Sequence, residues 1–187
     1  LLCEKLVDEA KKYNEKQGDP ADENTLLGPL ISEDEAKRIE EWVVAAVTDH
    51  NGKLLCGGKR RASFFDATFI VDVDKNAKVC TQEAFGPIAT IHKFSNFEEA
   101  IEMTNDSEFG LQAGVFTTNL GKCYYAYENL EVGGVVMNDI PSNRVDMQPY
   151  GGVKSSGCGR EGIRYAIEHL TEMRVLVTKN ITSYNEQ

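Results

Sequence analysis

The chain lacks the features that would place it in several large classes. Its 187 residues hold five cysteines, three histidines, five prolines and one tryptophan. The cysteines are Cys3, Cys56, Cys80, Cys123 and Cys158: an odd number, no pair spaced as CxxC, and no histidine beside them at metal-ligand spacing. That excludes a disulfide framework and a structural zinc site as organising principles, and a reducing cytosol is the simplest setting. No apolar run approaches the roughly 20 residues that cross a bilayer, and no signal peptide is visible. Cationic charge is also short. Lys and Arg number 20 against 30 Asp and Glu, for a formal charge of −10. Such a surface repels phosphate backbones and anionic lipid, so neither a nucleic acid nor a membrane is an expected partner.

What remains is an ordinary globular composition, 41% hydrophobic and 27% charged, with enough length for a sizeable core. The opening Leu1-Leu2-Cys3-Glu4-Lys5-Leu6-Val7 already reads as helix. The expectation is a piece of a longer protein, starting inside an element.

Residues 1–16 place Leu2, Leu6 and Ala10 on one helix face, and Gly18-Asp19-Pro20 ends that helix. A polar loop over 19–31 closes with Gly28-Pro29. Ser32-Glu33-Asp34-Glu35 reads as a capping box, followed by Ala36, Ile39, Val43 and Ala46 at helical spacing and a stop at Asn51-Gly52. Residues 53–56 and the β-branched stretch 67–73 are strand candidates. Strand 87–93, a second capping box at Ser95–Glu98, and a helix to about Asn105 come next. Strand 112–117, a helix from an Asn119 cap to about Leu130, and strand 134–138 continue the alternation. Helix 160–170 and a last strand over 173–178 close it. This order implies parallel pairing through right-handed crossovers, and hence an α/β fold with an open, mostly parallel twisted sheet covered by helices.

Two constellations carry chemistry. In Glu83-Ala84-Phe85-Gly86-Pro87 the Glu83 carboxylate can accept from both hydroxyls of a ribose. Phe85 could pack on a flat ring, Gly86 would allow close backbone approach, and Pro87 would set the turn into the next strand. Read alone, a plain Gly-Pro turn with Phe85 in the core is the better account. The second is the loop from Pro149 to Gly162, with five glycines in fourteen residues. Its spacing fits neither a P-loop nor GxGxxG leaving a strand, and Lys154 lacks the rest of a P-loop pattern, so a shaped loop bordering a site is favoured over phosphate binding.

These blocks together resemble the aldehyde dehydrogenase superfamily from Leu1 to about residue 180. Glu83–Pro87 matches its E-x-F-G-P pattern. Asn105, Asp106, Gly110, Leu111, Val115, Phe116 and Thr117 match N-D-x-x-x-G-L-x-x-x-V-F-T. Pro149–Glu161 matches P-F-G-G-x-K-x-S-G-x-G-R-E, with Tyr150 in place of Phe. The resemblance implies that residues 1–170 are the C-terminal portion of the catalytic domain, and that 171–187 are an oligomerisation strand and tail. It implies NAD or NADP as cofactor and a small aldehyde as substrate, in a homo-oligomer paired through residues near 173–178. Glu83 would hold the nicotinamide-side ribose and Phe85 would flank the nicotinamide. Asn138 would edge the active site, Tyr150 would line the substrate tunnel, and Glu161 would be a proton relay or purely structural, with the structural role favoured.

The family reaction uses a cysteine thiolate, a thioester and a glutamate-activated water to turn an aldehyde into an acid. The nucleophile motif, the base and the dinucleotide-binding domain belong upstream in such chains, so these residues alone are expected to be inactive and to bind cofactor weakly. Cys80 and Cys158 read as packed or incidental thiols, with none of His50, His92 and His169 obviously placed to activate them. Arg144 could pair with a carboxylate or phosphate on the aldehyde, or with Asp139 or Asp146. Two alternatives stand beside the dehydrogenase: a non-catalytic interaction module using 173–178 as its edge, and a superfamily relative that reduces acyl phosphates or thioesters.

Overall fold

The computed structural model describes residues 1–180. They form two compact units, the first from Leu1 to Ser95 and the second beginning at Asn96.

The first unit is organised by α1 (Leu2–Glu15), α2 (Glu33–Thr48) and a three-stranded sheet of β1 (Lys53–Cys56), β4 (Thr68–Val71) and β5 (Ile88–Ile91). The hairpin β2 (Arg60–Arg61) and β3 (Phe64–Phe65) and the one-turn helix α3 (Lys78–Thr81) complete it. β1 runs antiparallel to β4, while β4 and β5 are parallel and joined through α3.

α2 starts where Ser32 Oγ accepts from Glu35 N–H at 3.2 Å. That is half of a capping box. The Glu35 carboxylate instead accepts from Arg38, at 2.6 and 2.9 Å, because an ion pair one turn on outcompetes a neutral backbone donor. Ala36, Ile39, Val43 and Ala46 are the buried face of α2, at the spacing read from the sequence. Ile39, Val43 and Ala46 join Phe65, Ile70, Val73 and Ala77 in one core.

α1 is tied to the sheet by polar contacts as well as by buried Ala10. Asn14 Oδ1 accepts from Ala67 N–H at 2.7 Å, and its Nδ2 donates to Ala67 O at 3.3 Å. Of the expected apolar face only Ala10 is buried, and Leu2 is 66% exposed. Leu6 borders an apolar hollow of about 280 Å³, walled also by Tyr13, Phe69, Pro87 and Ile88.

The second unit holds α4 (Phe97–Asn105), β6 (Phe109–Gly110), β7 (Gln112–Val115), α5 (Leu120–Asn129), β8 (Gly134–Met137), β9 (Val153–Lys154) and α6 (Ile163–Leu170). β7 and β8 pair in parallel across α5, and β6 pairs antiparallel with β9. Ile101, Ala113, Val115, Ala126 and Leu130 form its core. Asn96, not Ser95, caps α4: its Oδ1 accepts from Glu99 N–H at 2.8 Å. Asn119 caps α5 as expected, accepting from Lys122 N–H at 3.1 Å.

The α/β class with open sheets is therefore what forms, and both strand–helix–strand crossovers are parallel. Among the described residues the pairing is divided among four small sheets rather than drawn as one. α6 begins three residues later than the sequence suggests. Tyr150 and Glu161 form an antiparallel bridge that holds residue 161 extended, and Gly162 follows at φ 112°. Residues 173–178, expected as a strand, belong to none among the described residues. Met173, Val175, Leu176 and Val177 are 74–95% exposed there, and no neighbouring strand offers them a ladder. Residues 181–187 of the expected tail lie outside the described residues.

Candidate functional site

The loop between α3 and β5 carries Glu83 and Phe85. It is anchored at both ends. Arg38 Nη2 donates to Ala84 O at 2.8 Å, and Thr68 N–H donates to Pro87 O at 2.8 Å. Arg38 is itself braced by Glu35 and lies 4.4 Å over the Trp42 ring. With the chain gripped on either side, Phe85 adopts φ 50°, a conformation that costs an aromatic residue strain, and its ring stands 78% exposed. Phe85 is therefore not core, contrary to the plain-turn reading. Glu83 is exposed on the same loop. Gly86 also has a packing reason. A Cβ there would sit 3.3 Å from Ile39 Cγ1 and Cδ1, so the missing side chain makes room for the core of the first unit.

A carboxylate and an uncovered aromatic ring two residues apart, on a loop held from behind, fit the nicotinamide half of a dinucleotide. Glu83 would accept from ribose hydroxyls and Phe85 would lie against the ring. Arg38, which holds this loop, escaped the sequence reading. Its signal was the capping box, where Arg38 stands three residues after Glu35.

In the second unit, Arg144, Tyr150 and Glu161 come together. Arg144 Nη2 donates to Glu161 Oε2 at 2.7 Å, and the guanidinium carbon lies 4.7 Å from the Tyr150 ring centroid. The expected alternative partners for Arg144 were Asp139 and Asp146; the partner found is Glu161, because the Tyr150–Glu161 bridge carries the carboxylate to it. The Tyr150 N–H donates to Glu161 O at 3.1 Å, and the Glu161 N–H donates back to Tyr150 O at 2.6 Å. These three residues wall a cleft of about 820 Å³ together with the glycine-rich loop, Leu111, His169 and Leu170.

The loop itself is heavily braced. Arg160 Nη1 donates to Gly152 O at 2.9 Å, and Ser156 Oγ accepts from Gly110 N–H at 2.9 Å. The Lys154 ammonium is spent on Asn105 O, Ser107 O and the Glu131 carboxylate at 2.6–3.1 Å, and so holds the loop rather than an incoming phosphate. Gly133 must be glycine, since a Cβ would collide with the Gly151 carbonyl.

Asn138 sits just beyond β8 at φ 60°. Its Oδ1 accepts from Thr117 N–H at 2.8 Å, tying the ends of β8 and β7 together, and it does not line the cleft.

Among the thiols, Cys158 is exposed in the cleft wall. Cys80 Sγ lies 3.8 Å from His92 Nε2, so one histidine does stand beside a cysteine, across α3 and β5. Burial nonetheless pushes the Cys80 thiol above its ordinary value, with Thr90 pulling it back and Asp74 adding to the rise. That leaves it a poorer nucleophile at neutral pH. Among the described residues, no three His, Cys, Asp or Glu side chains gather as a metal site. Among the described residues no helix is long and apolar enough to cross a membrane.

A model of the aldehyde dehydrogenase family matches residues 2–176. The chain belongs to the aldehyde dehydrogenase family. It is 46% identical over 174 residues to the 3-sulfolactaldehyde dehydrogenase of Priestia aryabhattai, covering 92% of this chain and 36% of that one. It is 43% identical to the lactaldehyde dehydrogenase of Methanocaldococcus jannaschii, over 94% of this chain and 37% of that one. Among solved structures it resembles aldehyde dehydrogenase 21 of Physcomitrella patens in complex with the reaction product succinate, at TM-score 0.91 and 48% identity. That match covers 97% of this chain and 37% of the other. It also resembles a glyceraldehyde-3-phosphate dehydrogenase of Methanocaldococcus jannaschii complexed with NADP, at TM-score 0.83 and 43% identity, over 89% of this chain and 36% of the other. The chain thus spans little more than a third of the relatives it matches.

Proposed function

We propose that this chain is the part of an NAD(P)-dependent aldehyde dehydrogenase that supplies the nicotinamide-side contacts and a wall of the substrate site, in an enzyme that oxidises a small aldehyde to an acid. The observation that carries the proposal is Phe85. The left-handed backbone stores strain at Phe85 and holds its ring 78% exposed beside an acceptor-only carboxylate, a surface that a flat hydroxylated ligand would cover. The bound cofactor supplies the hydride acceptor. Glu83 orients the ribose by accepting from its hydroxyls. Phe85 holds the ring plane and excludes water from one side of it. Arg38 keeps both in place through Ala84.

The substrate is an aldehyde bearing an anionic group. Three of the similar proteins support this, since sulfolactaldehyde carries a sulfonate, glyceraldehyde-3-phosphate a phosphate and succinate a second carboxylate, whereas the lactaldehyde of the Methanocaldococcus jannaschii relative is neutral. Within the chain, Arg144 is the cation in the cleft wall best shaped for such a group. Tyr150 beneath it gives the guanidinium a fixed plane. Asn138 borders the site by fixing the ends of β7 and β8, rather than by touching substrate.

Neither Cys80, with its raised thiol, nor Cys158 serves as nucleophile, so the 187 residues alone turn nothing over and bind cofactor weakly. The test is absorbance growth of reduced nicotinamide with NAD or NADP and a panel of short aldehydes. It is run on these residues alone and on the longest natural protein that carries them. Turnover by the 187 residues alone, abolished by thiol alkylation, would put the chemistry on Cys80 or Cys158 and overturn the division of roles. In the full enzyme, Arg144→Ala should raise the ratio of KM for succinate semialdehyde to KM for propionaldehyde about tenfold. An unaltered ratio removes Arg144 from substrate recognition.

A second role is supported by the exposed Met173, Val175, Leu176 and Val177, an unpaired apolar stretch of the kind that adds to another chain's sheet. The chain associates with copies of itself through residues 173–178. Size-exclusion mass with and without residues 171–187 checks this; a monomer in both cases ends it.

A further inference from the structure

We infer that Glu161 is a specificity-determining residue. It acts as the resident counter-ion of Arg144, so that a substrate anion is admitted to the cleft by displacing it. The inference rests on the reading of Arg144 given under Proposed function.

Three observations lead there. First, the Glu161 carboxylate occupies the guanidinium at 2.7 Å, on the wall of a cleft of about 820 Å³. An anionic ligand reaching Arg144 meets a carboxylate already there. Second, the placement is built rather than incidental. Paired backbone hydrogen bonds between Tyr150 and Glu161 fix where the Glu161 side chain departs, independently of its charge. Third, the exchange is cheap. The two side chains are 53% and 63% exposed, so their attraction is screened and of the order of an ordinary surface pair. The Tyr150 ring, 4.7 Å from the guanidinium carbon, keeps Arg144 in place when the carboxylate swings away.

The consequence is discrimination by charge. A neutral aldehyde gains nothing from Arg144 and leaves the pair closed. A carboxylate, sulfonate or phosphate takes over the guanidinium and releases Glu161 to solvent. Because Glu161 competes, it weakens the binding of every anion by about the strength of the pair it gives up. A glutamate with a purely structural role would instead affect all substrates alike.

The experiment uses the full enzyme with succinate semialdehyde as the anionic probe and propionaldehyde as the neutral one. Glu161→Gln keeps the side-chain size and the backbone bridge but removes the competing charge. The ratio of KM for propionaldehyde to KM for succinate semialdehyde is expected to rise about two- to fivefold. In an Arg144→Ala background the same substitution should leave that ratio where Arg144→Ala alone put it. Should Glu161→Gln not fold, Glu161→Asp, one methylene shorter, loosens the same contact and should move the ratio in the same direction. A ratio that stays flat or falls, or KM values that shift together for both aldehydes, overturns the inference. The reading of Arg144 itself fails separately, if Arg144→Ala in the parent background leaves the ratio unaltered.

Discussion

Arg38 is the residue on which the geometry of the Glu83–Phe85 loop turns, and its removal has a calculable cost. Its side chain is 28% exposed and makes three kinds of contact: with the Glu35 carboxylate, with Ala84 O, and with the Trp42 ring. A hydrogen bond from a charged donor to a half-buried carbonyl contributes about 1.5–3 kcal/mol. A partly exposed cation over tryptophan adds about 0.5–1 kcal/mol, and an ion pair one helical turn apart a few tenths. Alanine is a slightly better helix former, which returns about 0.2 kcal/mol. Arg38→Ala should therefore destabilise the first unit by about 2–4 kcal/mol. Trp42 is the sole tryptophan of the chain and lies directly under the guanidinium, so its fluorescence reports unfolding of that unit in urea. The midpoint is expected to fall by on the order of 1 M. Arg38→Lys keeps charge and stem but loses the planar fork, and should fall between the two. A loss under about 0.5 kcal/mol for Arg38→Ala would mean that Ala84 is held by the rest of the loop, and would refute this account of how Phe85 is presented.

Other expectations concern the core, a cap and the thiols. Phe65 is 1% exposed at the centre of the first core, so Phe65→Ala should cost about 3–5 kcal/mol in the same urea titration. Asn96→Ala removes the side-chain cap of α4 and should cost about 1 kcal/mol, read by circular dichroism of a thermal melt. Because burial raises the Cys80 thiol, iodoacetamide at pH 8 should label exposed Cys158 well before Cys80, as followed by peptide mass spectrometry. Equal rates would mean that His92, 3.8 Å away, stabilises the Cys80 thiolate after all.

Periodicity and capping residues were enough to locate the main elements. Ala36, Ile39, Val43 and Ala46 repeat at 3.6 residues, and all four are buried on α2. Asn119 caps α5, and the alternation of strands with helices yields parallel pairs on either side of α3 and of α5. These are local properties, decided by backbone sterics and by which face of an element can shed water. Motif spacing likewise marked the Glu83–Pro87 loop and the Pro149–Gly162 loop as shaped segments.

Which side chain meets which distant partner lay beyond reach. Arg38 bonds a carbonyl 46 residues away, and Asn14 clamps both backbone groups of a residue 53 away. The pairing of Arg144 with Glu161 depends on a bridge that folds residue 161 back beside residue 150. Gly86 leaves room for Ile39, 47 residues upstream, and Lys154 bonds three acceptors on other segments. A side chain's own chemistry says what it can bond, but only the folded chain determines which of several equivalent partners arrives within 3 Å. The segment 173–178 shows the same limit from the other side. Its β-branched pattern favours an extended strand, yet a ladder needs a second backbone, and the described residues supply none.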